Sequence, residues 1–162
     1  MRNVIALFMA ISLFSSSAPA WQARSGSAAG TPAIKACSLL SKELAMRVSG
    51  AANKAVFDLP PQEEPAGKSG SACNYADITL QIDAFTPASI DGMAKQPGKG
   101  WEPVAGVGDR AYFHGDRNFA QLIGYVGGRT FTVELGVPFQ STAEKMKPNV
   151  ITLANAIIPK LK

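Results

Sequence analysis

The chain has few of the residue types that most chemistry requires. Its 162 residues include one histidine, His114, and two cysteines, Cys37 and Cys73. Histidine is the usual general base near neutral pH, and His114 sits beside Asp116 in an expected turn, far in sequence from any serine motif. No G-x-S-x-G occurs. Two cysteines without C-x-x-C spacing do not make a redox pair, and one histidine is too few for a zinc site. Carboxylates fare no better. Glu63 and Glu64 fall in a polar stretch, and Asp77 and Asp83 lie roughly 20 Å apart along one expected strand, too far for an acid–base couple. These absences lead to the expectation of no enzyme, no metal and no cofactor.

A basic stripe is also missing. The formal net charge is +4, but the lysines and arginines are scattered without a run of five, which argues against a nucleic-acid partner. The sequence Gly67-Lys68-Ser69 resembles the end of a phosphate-binding loop, yet Gln62 stands where that motif needs glycine.

There is one long apolar run, Val4 to Phe14. At about 11 residues it is shorter than the ~20 that span a bilayer as a helix. Arg2 precedes it, and Ala18-Pro19-Ala20 follows as a small-x-small site. Residues 1–20 are therefore read as a signal peptide cleaved near Ala20, with a periplasmic or secreted product and no stable membrane span afterwards. Cys37 lies far from the apolar run and is no acylation site. Residues 21–33, rich in Ser, Gly and Ala, are expected to be a flexible leader, and 34–162 a single domain. In an oxidising compartment Cys37 and Cys73 are expected to form one disulfide. Closing a loop of roughly 37 residues contributes about 4 kcal/mol in the chain-entropy picture.

What the chain has is periodicity. Leu39, Leu40, Leu44 and Val48 fall at helical spacing before Gly50, with Ser38 or Ser41 as the cap. Lys54 to Leu59 is expected to be a short strand, and Pro61 to Ala72 an exposed loop. Asn74 to Phe85 alternates strictly, which predicts one half-buried strand. Thr86-Pro87 caps a short helix through Lys95. A Gly- and Pro-rich connection containing Trp101 leads on to a meander, Arg110 to His114, Asn118 to Val126 and Arg129 to Leu135, turned at Gly115-Asp116 and Gly127-Gly128. Pairing Val126 with Arg129 sets Gly124 opposite Phe131. The pattern S-x-x-E from Ser141 begins a closing helix, expected to run mainly from Asn149 because Pro148 lacks an amide hydrogen. Together these elements predict an α+β fold: a mostly antiparallel sheet of about five strands, N-terminal and C-terminal helices packed on it, and one disulfide.

On the sheet's second face Tyr112, Phe119, Ile123 and Tyr125 alternate with Thr79, Gln81, Gln121, Thr130 and Thr132. An aromatic and aliphatic patch ringed by hydroxyls and amides suits a small molecule or a protein partner. The competing reading is an ordinary β face, with a helix covering Phe119 and Ile123.

Cys37-Ser38-Leu39-Leu40-Ser41, Cys73-Asn74-Tyr75 and Val104-Ala105-Gly106-Val107-Gly108-Asp109-Arg110-Ala111 together resemble a group of small exported bacterial domains of unknown function. Many of these are actinobacterial lipoproteins with the pattern C-x-L-L-[ST], C-x-Y and V-x-G-[VL]-G-D-x-A. The resemblance spans about residues 36 to 161. It implies a disulfide between the matching cysteines and no assigned enzymatic activity. The chain departs from the group in having no lipidation cysteine after its signal. The function expected is an exported non-enzymatic binding module, and the alternative is a secreted inhibitor or immunity-type protein acting through the 60–72 loop.

Overall fold

Strands that alternate apolar and polar residues must bury one face, and here the shared apolar face gathers them into one sheet. The structure, a computed structural model, describes residues 33–98 and 100–162. The expected signal peptide and the expected leader up to residue 32 lie outside the described residues. The strands are β1 (Gln62–Ala66), β2 (Gly70–Tyr75), β3 (Ile78–Ile82), β4 (Glu102–Val104), β5 (Arg110–Gly115), β6 (Phe119–Val126) and β7 (Arg129–Gly136). They form an antiparallel sheet in the order β1-β2-β3-β7-β6-β5-β4. Every neighbouring pair is consecutive in sequence except β3–β7. The helices are α1 (Lys42–Val48), α2 (Pro87–Ala94) and α3 (Ala143–Ile157), with short 3-10 turns at Ala36–Leu39, Lys54–Asp58 and Ile158–Lys160.

The α+β class, the antiparallel sheet, the helices at both ends and the Cys37–Cys73 disulfide match the expectation. The sheet has seven strands among the described residues rather than about five, for identifiable reasons. The stretch from Asn74 to Phe85 is not one strand. It breaks at Ala76-Asp77, a two-residue turn in which Ala76 adopts φ +55° without being glycine. That turn is held from outside. The Asp77 carboxylate accepts from Ser49 Oγ at 2.5 Å and Gly50 N at 3.1 Å, and its carbonyl accepts from Gly136 N at 2.8 Å.

The expected loop at Pro61 to Ala72 is instead β1, a turn at Gly67–Ser69 and the start of β2. Pro65 is tolerated because β1 is an edge strand. Glu63 anchors this edge by accepting from the amides of Ala36 and Cys37, each at 2.8 Å. The strand expected at Lys54 to Leu59 is a 3-10 turn capped by Asn53, whose side chain accepts from Ala55 N. Phe57 is buried regardless. It packs edge-on to Tyr75 with centroids 5.1 Å apart, and the Tyr75 hydroxyl donates to the Phe57 carbonyl at 2.7 Å.

The meander follows its expected register, with Val126 paired to Arg129 and Gly124 to Phe131. Gly127 and Gly128 sit at φ +57° and +82°, conformations that side chains resist. A Cβ on Gly124 would fall 2.6 Å from the Arg110 carbonyl oxygen and 2.7 Å from the Phe131 ring. The other turn differs from expectation. Gly115 still pairs with Ala120, and the Asp116 carboxylate organises the bend by accepting from Asn118 N at 2.6 Å and Phe119 N at 3.0 Å.

The core lies between the sheet's first face and the helices α1 and α3. Leu80, Leu122, Val133 and Leu153 of α3 belong to one hydrophobic core, and all four are fully buried. Ser41 caps α1 through Leu44 N. The α3 cap is Thr142, one residue beyond Ser141, and the helix runs through Pro148 instead of starting after it. The donor that Pro148 lacks would have met the carbonyl of Glu144. Both residues are exposed, so water can serve that carbonyl. Among the described residues, no helix is long and apolar enough to cross a membrane.

Candidate functional site

Strand residues alternate faces, so the same pairings that fix the core also fix a second layer. Register aligns Asn74, Thr79, Glu134, Gln121 and His114 in one row across β2, β3, β7, β6 and β5. A neighbouring row carries Ala72, Gln81, Thr132, Ile123 and Tyr112. Trp101, just before β4, extends the first row, its ring tilted against His114 with centroids 5.0 Å apart.

Helix α2 covers one side of this face. Thr86 caps it through Ser89 N, and Pro87 supplies the first helical residue, as its sequence predicts. Ile90, fully buried, and Ile123, at 2% exposure, lie within this layer. Thr130 and Thr132 are buried on the same side of the sheet. The helix is further held by a polar clasp. The Asp91 carboxylate accepts from the Tyr112 hydroxyl at 3.1 Å, the Tyr125 hydroxyl at 3.3 Å and Arg110 Nη1 at 3.2 Å. Partial burial pushes the Asp91 carboxyl up, but the Tyr112 hydrogen bond, the Arg110 charge and the remaining donors outweigh it and hold the group below the ordinary aspartate value. Burial raises the Tyr125 hydroxyl, against the pull of Arg110 and with that of Asp91. The approach to α2 is fastened as well. Asp83 accepts from Arg129 at 2.6 Å and from Thr130 N at 3.1 Å, and Thr130 Oγ1 donates to the Phe85 carbonyl at 3.0 Å.

The four expected contact residues are all on this face, but they do not line one pocket. Tyr112 and Tyr125 aim their hydroxyls at α2. Ile123 is floor rather than surface. Phe119 is half-buried beside His114, 5.8 Å between centroids. The open part of the face lies next to α2 instead. A cleft of about 180 Å³ is bounded by Phe85, Met93 and Trp101 over a floor of Gln81, Gln121, Ile123 and Thr132. It adjoins a second of about 420 Å³ that shares Gln81 and Phe85 and reaches Asn74, Thr79 and Glu64. The two make one groove.

Several polar groups on this floor have spare capacity. Gln121 Nε2 donates to Glu134 Oε2 at 2.9 Å, and Thr79 Oγ1 donates to Asn74 Oδ1 at 3.1 Å. Burial raises the Glu134 carboxyl above the ordinary glutamate value; the Gln121 hydrogen bond opposes this and the Asp116 charge adds to it. The Gln81 side chain makes no hydrogen bond among the described residues. No group of three or more His, Cys, Asp or Glu is placed to hold a metal ion among the described residues.

Sequence reasoning missed Phe85, Met93 and Asp91 as builders of this site. The available signal was a capped eight-residue helix between β3 and β4. Such a helix must lie on one face, and the first face was already filled. No family model matches this chain, and no curated protein or solved structure matches it either.

Proposed function

We infer that this chain is an exported, non-enzymatic binding module whose contact site is the groove beside α2 on the sheet's second face. The observation that carries the reading is a half-covered face: α2 closes one side, and beside it amides, hydroxyls and a carboxylate stand next to Phe85, Met93 and Trp101. A concave site with an apolar wall and a few convergent polar groups is the common form of a ligand site. Export is supported by the signal-like residues 1–20 and by a disulfide, the cross-link that oxidising compartments maintain. The non-enzymatic part rests on the surroundings of His114, whose ring neighbours are Trp101 and Phe119, and on Asp116 being engaged by turn amides.

The test starts with mature protein used to capture a ligand or partner from periplasmic and culture extracts, identified by mass spectrometry. The purified component is then titrated calorimetrically against wild type and Trp101→Ala, with circular dichroism confirming the fold. A loss of about tenfold or more in affinity is expected for Trp101→Ala. Equal affinity for both proteins would move the contact off this groove.

A second reading, an inhibitor or immunity-type protein acting through residues 60–72, has one observation in its favour. The first four residues of β1 are exposed, and the strand forms an edge of the sheet, open to pairing with another chain. Lys68→Gly with Ser69→Gly in the turn, together with Gln62→Pro on the edge, would abolish binding under this reading and leave it intact under the first.

A further inference from the structure

We propose that the groove binds an uncharged polyhydroxylated chain, an oligosaccharide of neutral sugars. This rests on the groove being the contact site. It follows from what the groove offers and what it withholds.

Charge comes first. None of the described residues lining the groove is lysine or arginine. Arg110, the arginine that register places on this face of the described strands, is held by Asp91, and Arg129 lies in register with Val126 on the other face. Glu64 borders one end and Glu134 stands in the floor row. A phosphate, a sulfate or an acidic peptide would meet acceptors where it needs donors.

Hydrogen bonding comes second. A sugar hydroxyl donates and accepts at once, and side-chain amides and hydroxyls are the groups that answer both demands. Gln81 presents a whole amide without a protein partner among the described residues. Asn74 uses its carbonyl on Thr79 and keeps its two N–H donors, whereas Gln121 gives an N–H to Glu134 and keeps its carbonyl. Glu134, half-buried, has acceptor capacity left after that one bond, and hydroxyl donors to a carboxylate are the stronger kind.

Shape comes third. The lining runs from Glu64 on β1 through Asn74, Gln81 and Thr132 to Gln121 on β6, five adjacent strands or roughly 20 Å at ~4.8 Å per strand, with Trp101 at that end. The site is therefore elongated and suits a chain of several rings. Phe85, at 42% exposure, together with Trp101 and Met93, gives apolar surface for the C–H faces of sugar rings. An extended peptide fits less well. Peptides that add to sheets do so at edges, where backbone groups are open. Beneath Gln81, Thr132 and Gln121 the strands β3, β7 and β6 are interior and paired on both sides, and the edge strand that the groove reaches, β1, presents Pro65 there, which has no amide hydrogen to offer.

The experiment titrates the disulfide-bonded mature chain with maltohexaose, cellohexaose and chitohexaose at millimolar concentration, following the Gln81, Asn74 and Gln121 side-chain amides and the Trp101 indole by NMR. At least one of the three should shift these signals. Trp101→Ala and Gln81→Ala should each weaken that sugar by about tenfold, with an unchanged melting temperature. An anionic heparin hexasaccharide should not compete. Absence of any shift with all three neutral sugars overturns the proposal. If the captured partner of the preceding section still depends on Trp101 in that case, the groove stands and the sugar assignment alone falls. Shifts confined to residues outside the groove would likewise overturn the sugar assignment, and the groove itself falls if the captured partner binds Trp101→Ala as tightly as wild type.

Discussion

The two faces of this sheet use the same seven strands and the same register, yet they are built on different physics. On the first face, β6 and β7 set Leu122 and Val133 against Leu153 of α3 with no polar partner, and the contact is held by area removed from water. On the second face, α2 brings one fully buried aliphatic side chain, Ile90, and is otherwise pinned by Asp91 to two tyrosines and an arginine. Aliphatic packing is indifferent to pH and direction. A carboxylate clasp depends on both. One face is therefore suited to stability, and the other leaves a groove whose polar groups are unspent.

The sharpest way to break this comparison is to empty the first face. Leu122→Ala and Leu153→Ala should each lower unfolding free energy by about 2–5 kcal/mol in urea denaturation. A loss below about 1 kcal/mol would mean that α3 is not the dominant cover. Next in size is Gly124→Ala, whose new methyl meets the Arg110 carbonyl and the Phe131 ring. Overpacking there should cost about 1–3 kcal/mol, read in the same assay.

The clasp responds to acid. The Asp91 carboxyl is held below its ordinary 3.8, so its contribution is present above that value and is lost as pH falls through the lower folded value. Burial acts the other way on Glu134, whose charge costs folding at neutral pH; that cost is relieved as pH falls through its raised value and on past the ordinary 4.5. The protection of the α2 amides of Ile90 and Met93 against hydrogen exchange should therefore fall below the ordinary aspartate value of 3.8, with the protection of α3 unchanged. Asp91→Asn should produce the same loosening at neutral pH. Equal protection of both helices across that range would remove the distinction between the faces. The smallest effect is expected at Gln81→Ala, within about 0.5 kcal/mol of wild type, since its amide has no protein partner among the described residues to lose.

The first face was legible in the sequence because it is periodic. Alternation through Ile78, Leu80 and Ile82, the Gly127-Gly128 turn and the i, i+4 spacing of Met146 and Val150 each state their own burial. The second face was legible only as a list of residues. Its groove depends on where α2 lands, and that is fixed by Asp91 reaching Tyr112 and Tyr125, contacts 21 and 34 residues apart. Ala76-Asp77 illustrates the same limit. Nothing local marks it as a turn, because its stabilising partners are Ser49, Gly50 and Gly136. Lys54 to Leu59 failed for the opposite reason: six residues are too few to separate a strand from a 3-10 turn when a buried aromatic suits either.

The one non-sequential strand pairing among the described residues, β3 with β7, has a consequence for how the chain reaches this structure. Residues 62–82 and 102–136 are each a run of hairpins, which close over short loops and form quickly. Joining them requires the chain to bring together residues about 50 apart in sequence, such as Ile82 and Phe131, before either meander is repaid in buried area. The seam is then the slow search, and α2 is carried in the loop it closes. Changes at Leu80 or Val133 would slow folding, whereas changes in α2 would act after the search and show mainly in the rate of unfolding.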